Sequence, residues 1–282
     1  MTAGLCRRCS EPLGLRRFIG ADFCGACSAK EKAERKAAVE EYQSVSLAAA
    51  DPRTDPATIG ANLPAIAARA GLSAQAARDL NWKALMGAFD NALADEVITR
   101  QEEDRLGAVA TALGFGESEF ERAIGHYAEE VFIARVNDGR LPELATPPII
   151  LKRGEIAHLV TTADMMKEVA IREYKGGSQG VSFRIMKGVS YRVGSHRGTM
   201  EVVGSRLEVG DSGDLVVTSQ RVVFTGGRRT QEVRYDKLID VNVFKDAIQF
   251  HVSNRQKPSL FKVSSGPMIA AAVNAAAQRV AA

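Results

Sequence analysis

The sequence predicts a multidomain α+β protein, in which a small cysteine-rich module precedes a helical bundle and a β-barrel with a C-terminal helix follows. Three observations predict this order. The cysteines all lie within the first 27 residues, apolar residues recur at helical spacing over residues 57–136, and they alternate at every second position beyond residue 150. These two periodicities are the main sequence signals for helices and strands.

Length and composition bound the classes of protein to consider. The chain has 282 residues, enough for two domains or for three if one is small. Its hydrophobic content of 45% and charged content of 25% are ordinary for a globular protein. The apolar runs are too short to span a bilayer, and the N-terminus lacks the pattern of a signal peptide. We therefore expect a cytoplasmic protein, peripheral at the membrane if a domain binds lipid.

The four cysteines are arranged as Cys6-x2-Cys9 and Cys24-x2-Cys27, with fourteen residues between the pairs. Two tight cysteine pairs supply four soft ligands to one tetrahedral zinc ion, and four thiolates leave no open position for water. The spacing predicts a structural zinc site in residues 1–28. The alternative is a disulfide or redox role, which an oxidising compartment would favour.

Residues 1–28 resemble a zinc ribbon or a small treble-clef knuckle, with a short hairpin expected over residues 13–20. Phe18 and Phe23 are predicted to form the core of this module. Four arginines lie beside the cysteines: Arg7, Arg8, Arg16 and Arg17. They would offset the negative charge of a zinc tetrathiolate. Alternatively they would contact nucleic acid phosphates while the phenylalanines stack on bases.

Capping patterns predict the helices that follow. Ser28 and Glu31 form a capping box that starts a charged helical spacer over residues 29–50, and prolines at 52 and 56 end it. Two more boxes begin at Thr99 and Ser118, within a predicted bundle over residues 57–136. The apolar faces comprise Leu80, Ala84, Leu85, Phe89 and Leu93; Leu106, Val109, Ala110 and Leu113; and Phe120, Ile124, Tyr127 and Val131.

The stretch Ala88–Glu103 resembles the helix–turn–helix signature of tellurite-resistance TerB-like domains. That resemblance implies a divalent metal held by four acids: Asp90, Asp95, Glu102 and Glu103. The alternative is that these acids stabilise helix N-termini through the helix dipole. The stretch does not fit an EF-hand, because Ala92 and Ala94 occupy ligand positions.

Beyond a linker that includes Pro147 and Pro148, the pattern becomes that of strands. Apolar residues alternate in five runs: Leu215/Val217, Val222/Phe224, Val233/Tyr235, Val241/Val243 and Ile248/Phe250/Val252. Gly226-Gly227 predicts a hairpin turn. Gly266-Pro267 predicts the start of a final helix, whose apolar face contains Ile269, Val273 and Ala276.

Residues 150–282 resemble bacterial pleckstrin-homology-like (PH-like) and GRAM-like domains. The resemblance is carried by Leu151–Glu155, by Gly213 with Asp214–Phe224, and by Tyr235–Asp240. It implies about seven strands in a barrel plugged by the C-terminal helix, and a binding role. Basic residues in a glycine-rich insert are the candidate anion or headgroup site: Arg184, Lys187, Arg192 and Arg197. The alternative is an ordinary exposed hairpin.

The sequence contains no H-E-x-x-H motif or dinucleotide fingerprint, and the glycine-rich stretch over residues 176–180 is interpreted as a turn. Binding modules in all three parts predict a non-enzymatic adaptor that docks a protein or a membrane headgroup through the PH-like domain. The resemblances place it in bacterial stress or phage defence. The alternatives are a zinc-ribbon regulator associated with nucleic acid and a metal-dependent enzyme that uses the acids around Asp95.

Overall fold

The structure is a computed structural model that describes residues 4–170, 180–186, 189–194 and 205–281. The chain forms two compact units. The first unit runs to Asp95 and adds Thr99–Tyr127, while the second combines Glu96–Ile98 with the chain from Ala128 onward. The α+β class is confirmed.

The first unit contains the cysteine module and five helices. Its elements are a 3₁₀ turn (Gly14–Ile19), α1 (Gly25–Ala48), α2 (Pro56–Ala70), α3 (Ala74–Ala92), α4 (Arg100–Ala112) and α5 (Glu117–His126). Side-chain caps fix several helix starts. Asp55 accepts hydrogen bonds from the backbone N–H groups of Ala57 and Thr58 and so caps α2. Thr99 and Glu102 form the predicted capping box of α4.

The helices pack through the predicted apolar faces. Leu85 and Phe89 of α3 and Val109 of α4 are buried, and Phe89 stacks on Tyr127 with ring centroids 5.2 Å apart. A buried polar chain adds specificity: the Tyr42 hydroxyl donates to Asn81 Oδ1 at 3.0 Å, and Asn81 Nδ2 donates to a backbone carbonyl at the end of α4 at 2.8 Å.

Two predicted helix caps are wrong, one by four residues and one by two. α1 begins at Gly25 with Cys24 as its cap, rather than at Ser28. α5 begins at Glu117, so Ser118 lies inside the helix, and Glu119 bonds back to the Gly116 N–H at 3.1 Å. The face predicted from Phe120 to Val131 is divided, because α5 ends at His126.

The second unit contains two helices and one sheet in the part of the chain that the structure describes. Its elements are α6 (Ala128–Asn137), β1 (Ala157–Ala170), β2 (Gly180–Met186), β3 (Val189–Gly194), β4 (Ser205–Thr218), β5 (Arg221–Gly226), β6 (Thr230–Arg234), a 3₁₀ turn (Tyr235–Lys237), β7 (Leu238–Val243), β8 (Ala247–Val252), β9 (Ser259–Val263) and α7 (Gly266–Ala281).

The sheet order is β2-β3-β7-β8-β9-β1-β4-β5-β6. Neighbouring strands are antiparallel except β3 and β7, which are parallel. The alternating apolar residues predicted for β4 to β8 are buried in one core with the apolar face of α7. α6 packs against α7 in this unit, although the sequence grouped residues 128–136 with the bundle.

The predicted barrel is not closed by backbone pairing among the described strands, because β2 and β6 end the linear order. Side chains partly replace the missing pairing at β6. Arg255 donates to the Glu232 carbonyl at 3.2 Å, and Gln231 donates to Ser259 Oγ. The ring of Phe224 in β5 also lies 5.3 Å from that of Phe261 in β9, so the sheet curls around its core.

No helix among the described residues combines the length and the apolar character that a membrane span requires.

Candidate metal centre

The four cysteines converge in space. All four Sγ atoms lie within 4.8 Å of one another, and Cys9 Sγ is 3.7 Å from Cys24 Sγ. Zinc bound tetrahedrally with Zn–S bonds of about 2.3 Å requires sulfur atoms about 3.8 Å apart. No other group of three or more metal-ligating side chains in the described residues is this compact. The cysteines therefore form a site that fits a metal ion.

Backbone hydrogen bonds build the two halves of the site. In the first half, the Ser10 N–H donates to the Cys6 carbonyl at 2.9 Å, and the Cys6 N–H donates to the Glu11 carbonyl at 2.8 Å, which folds the chain back within six residues. The second half is the start of α1, where Cys24 is the cap residue and Cys27 lies in the first turn. The Arg7 N–H joins the halves by donating to the Asp22 carbonyl at 3.0 Å.

The electrostatics of the cluster favour a cation. Hydrogen bonds to the Cys6 sulfur, foremost from the Cys24 backbone, lower the pKa of Cys6 to about 6. The neighbouring thiols, foremost Cys9, together with burial raise the pKa of Cys27 to about 12. Four sulfurs this close cannot all ionise without a positive charge among them, and a bound metal ion would supply that charge.

The core of the module is very small. It consists of Cys6, Leu13 and Cys24, with Phe23 and Cys27 packed against it. Phe23 packs against the core, as predicted. The prediction that Phe18 also belongs to the core is wrong, because Phe18 is 71% exposed. The hairpin predicted over residues 13–20 is also wrong, since Gly14–Ile19 form a 3₁₀ turn.

Arg7 and Arg8 pair with nearby acids, whereas the side chain of Arg17 lies outside what the structure describes. Arg7 lies 3.1 Å from Asp22, and Arg8 donates two hydrogen bonds of 2.8 Å to Glu34 in α1. Arg16 extends along the first turn of α1, where Nη2 is 3.4 Å from Ser28 Oγ and the buried Nε has no hydrogen-bond partner in the structure. A cation at a helix N-terminus is disfavoured by the dipole, so a negative thiolate cluster beside it would stabilise Arg16.

The acids of the TerB-like signature do not converge into a comparable group among the described residues. Asp90 accepts a hydrogen bond of 2.6 Å from the Tyr127 hydroxyl. Glu102 accepts from the N–H and hydroxyl of Thr99, both at 2.8 Å, in its capping box. These contacts give Asp90 and Glu102 roles in packing and capping of the bundle.

The structure describes only part of the predicted basic site in the insert. Arg184 and Arg192 lie on the paired strands β2 and β3, but their side chains, together with Lys187 and Arg197, are outside the described residues. The anion or headgroup site stays a prediction.

A buried ion pair explains the sequence motif around Thr218 and Arg221. Glu155, which precedes β1, accepts hydrogen bonds of 2.7 Å from both Arg221 Nε and the Thr218 hydroxyl. Arg221 also donates to Glu232 at 2.8 Å, and Lys152 donates to the other oxygen of Glu232. Burial opposes ionisation of Glu155, but the hydrogen bonds that it accepts, foremost from Arg221, hold its pKa below the ordinary value. The network binds the segment before β1, which contains Lys152 and Glu155, to the β4–β5 hairpin and β6.

Glycine at position 213 is required by close strand approach in this hairpin. A Cβ atom on Gly213 would lie 2.0 Å from the carbonyl oxygen of Thr225. One on Gly226 would lie 2.4 Å from the carboxylate of Asp211, which accepts two hydrogen bonds of 2.8 Å from the turn after β5. Close packing therefore requires glycine both at position 213 and at position 226.

Three histidines fall within the described residues and have structural contacts. His158 is buried with Nδ1 2.6 Å from the Pro142 carbonyl, and burial lowers its pKa. His126 packs edge-on against Tyr127, and His251 lies 3.0 Å from Asn242.

Sequence reasoning missed one surface of the module. Leu15 and Ile19 join Phe18 as large exposed apolar side chains on the 3₁₀ turn. Their spacing of three and four residues was visible in the sequence, although that spacing alone does not distinguish an exposed face from a buried one.

Comparison with protein-family models and with curated protein sequences gives no match. The candidate site therefore rests on the geometry and chemistry of its own residues.

Proposed function

We propose that this protein is a non-enzymatic, multidomain binding or adaptor protein with a structural zinc site. The observation that carries the proposal is the apolar turn on the cysteine module. Leu15, Phe18 and Ile19 are 84%, 71% and 78% exposed, although the module has few apolar side chains for its own core. Several exposed apolar side chains on one turn of a folded module are typical of an interaction site.

The choice of zinc rests on the donor set. Thiolates are soft ligands, and four of them at tetrahedral spacing are typical of structural zinc. With Cys6, Cys9, Cys24 and Cys27 all bound, the ion has no position left for a substrate or water. The metal would hold the start of α1 to the first knuckle and so present the apolar turn. Elemental analysis should find one zinc per chain; one iron per chain would overturn the assignment.

We assign the second unit a docking role through a PH-like fold. The curled sheet, the core shared with α7 and the Glu155–Arg221 network on the T-x-x-R hairpin support this assignment. Its ligand would be a protein or an anionic headgroup held by Arg184, Lys187, Arg192 and Arg197. The helices of the first unit would be TerB-like, in a setting of bacterial stress or phage defence.

An adaptor should hold different neighbours through its two units, and cross-linking of the tagged full-length protein in its native cell tests this. The variant Leu15→Ser/Phe18→Ser/Ile19→Ser should lose one set of cross-linked neighbours. A second variant, in which Arg184, Lys187, Arg192 and Arg197 are all replaced by Gln, should lose another. The proposal would be overturned if both variants retained every neighbour of the wild type.

A second candidate is a nucleic-acid-associated regulator. The exposure of Phe18, which follows Arg16 and Arg17 in the sequence, favours it. Bases stack on exposed aromatic side chains, and arginines contact phosphates. The ion pairs of Arg7 and Arg8 with acids weigh against it. This candidate predicts that the full chain binds single-stranded DNA or RNA with an affinity that falls steeply with salt. Absence of binding at low salt would exclude it.

A further inference from the structure

The apolar turn, defined here as Leu15, Phe18 and Ile19, is held firmly at its base. Leu13, just before the turn, is buried in the module core. The Arg16 N–H donates to the Leu13 carbonyl at 3.1 Å, and the Ala21 N–H donates to the Arg16 carbonyl at 3.2 Å. The exposed side chains are therefore presented by an ordered turn.

The turn also belongs to a module at the free end of a helix within the first unit. Residues 32–37 of α1 are all exposed, and the buried side chains of α1 begin only at Ala38. The module thus meets the bundle through the second half of α1. An exposed turn at such an end is suited to penetrating a surface.

The sequence of the turn itself contains only positive charges. Between Pro12 and Ala21 the sequence has two arginines, Arg16 and Arg17, and no acid. The ion pair of Arg7 with Asp22 is solvent-exposed, so it is weak enough to be exchanged for other anions. Apolar side chains with adjacent arginines are the combination that binds the interface of anionic membranes.

From these observations we infer that the apolar turn inserts into the interfacial region of an anionic lipid bilayer. The inference rests on the proposed binding function and names the partner of the cysteine module. Two of the three side chains are aliphatic, which favours lipid over nucleic acid because bases stack on aromatic rings. One turn is also far smaller than the roughly 800 Å² per partner of a standard protein interface, whereas interfacial insertion requires only shallow burial.

Co-sedimentation of the full-length protein with vesicles tests the inference. We expect binding to phosphatidylcholine vesicles that contain phosphatidylglycerol, and much weaker binding to phosphatidylcholine alone. The variant Leu15→Ser/Phe18→Ser/Ile19→Ser should lower the partition coefficient by more than about tenfold. Zinc content and circular dichroism should be unchanged in this variant, because the turn contributes little to the core.

The matched control is Leu47→Ser/Ile150→Ser, which replaces apolar side chains that are 53% and 92% exposed outside the cysteine module. It should bind vesicles like the wild type. The Gln variant of Arg184, Lys187, Arg192 and Arg197 separates the two candidate routes to a membrane. If that variant abolished binding while the triple variant retained it, the contact would belong to the second unit and the inference would be wrong.

Depth is tested with Phe18→Trp, which keeps an aromatic side chain on the turn. Lipids brominated on their acyl chains should quench its fluorescence, whereas the native Trp82, measured in the wild type, should be unaffected. Absence of quenching would overturn the inference. It would also be overturned if the three side chains mediated self-association or nucleic acid binding and the protein did not bind lipid. If the triple variant lost cross-linked neighbours but the wild type bound no vesicles, the proposed binding function would stand. Only the inference that the partner is a membrane would be rejected.

Discussion

The cysteine module and the sheet of the second unit differ most in what lies at their centres. The module buries only Cys6, Leu13 and Cys24, with two further side chains packed beside them. The sheet buries the inner faces of its strands and one face of α7 in a continuous apolar core. Below about 40 residues, hydrophobic burial rarely stabilises a fold without a metal or disulfides. The comparison predicts two different sources of stability in one chain: a metal ion in the module and apolar burial in the sheet.

The largest expected effect is removal of the metal, which tests whether the module depends on it. Zinc-finger peptides gain on the order of 10–16 kcal/mol from zinc at neutral pH. We expect Cys24→Ser, or a strong chelator, to unfold residues 4–28 while the sheet remains folded. Hydrogen exchange by mass spectrometry measures both regions in one experiment. Equal loss of protection in the sheet would contradict the comparison.

The sheet should instead depend on its apolar core. Phe261 is buried, with ring centroids 5.3 Å from Phe224 and 6.1 Å from Phe250. Phe261→Ala should lower the free energy of unfolding of the second unit by about 3–5 kcal/mol, because it removes buried apolar surface and leaves a cavity. Denaturant titration measures the change. Zinc content should not change, and Ile239→Ala at an exposed position is the control.

The buried ion pair should contribute through specificity more than through net stability. The Glu155 side chain is fully buried and Arg221 is its principal partner. Arg221→Met should lower the free energy of unfolding by about 3 kcal/mol, because it leaves a buried carboxylate uncompensated. The double variant Glu155→Leu/Arg221→Met should regain most of that loss. A double variant as unstable as the single one would show that the pair itself stabilises the unit.

The same pair predicts a pH dependence confined to the second unit. Because the pKa of Glu155 is lowered in the folded state, its contribution is complete above the ordinary value for glutamate. It is lost as the pH falls below about 5 and through the folded value. Unfolding measured from about pH 6 down to about pH 3 should therefore show stability that begins to fall near pH 5. Glu155→Gln should flatten this slope, whereas Glu130→Gln at an exposed position of α6 should not.

The smallest effect concerns helix starts in the first unit. Thr99→Ala removes the hydroxyl that accepts from the Glu102 N–H, and should lower the free energy of unfolding by about 1 kcal/mol. Ser118→Ala is the matched control, because this serine lies inside α5 and should be close to neutral. Equal effects of the two substitutions would indicate that Ser118 caps α5, as the sequence predicted.

Helix starts show how far local sequence carries the fold. The Thr99 box was predicted correctly because both of its partners lie within one turn. Ser28 and Ser118 fit the same pattern but are not caps, since the chain has a competing cap a few residues earlier in each case. At Cys24 that cap is fixed by the geometry of the cysteine cluster. A local pattern cannot rank two adjacent starts when a long-range constraint selects one.

By itself, the sequence determined the cysteine site, the buried face of α7 and the alternating strands from Leu215 to Val252, because spacing along the chain encodes each of them. Only the tertiary structure decided that Glu155 meets Arg221, that α6 packs with α7, and that β2 and β6 are not paired with each other among the described strands. It also decided that Phe18 is exposed while Phe23 is partly buried against the module core. These outcomes depend on contacts between residues far apart in sequence, which periodicity and spacing do not specify.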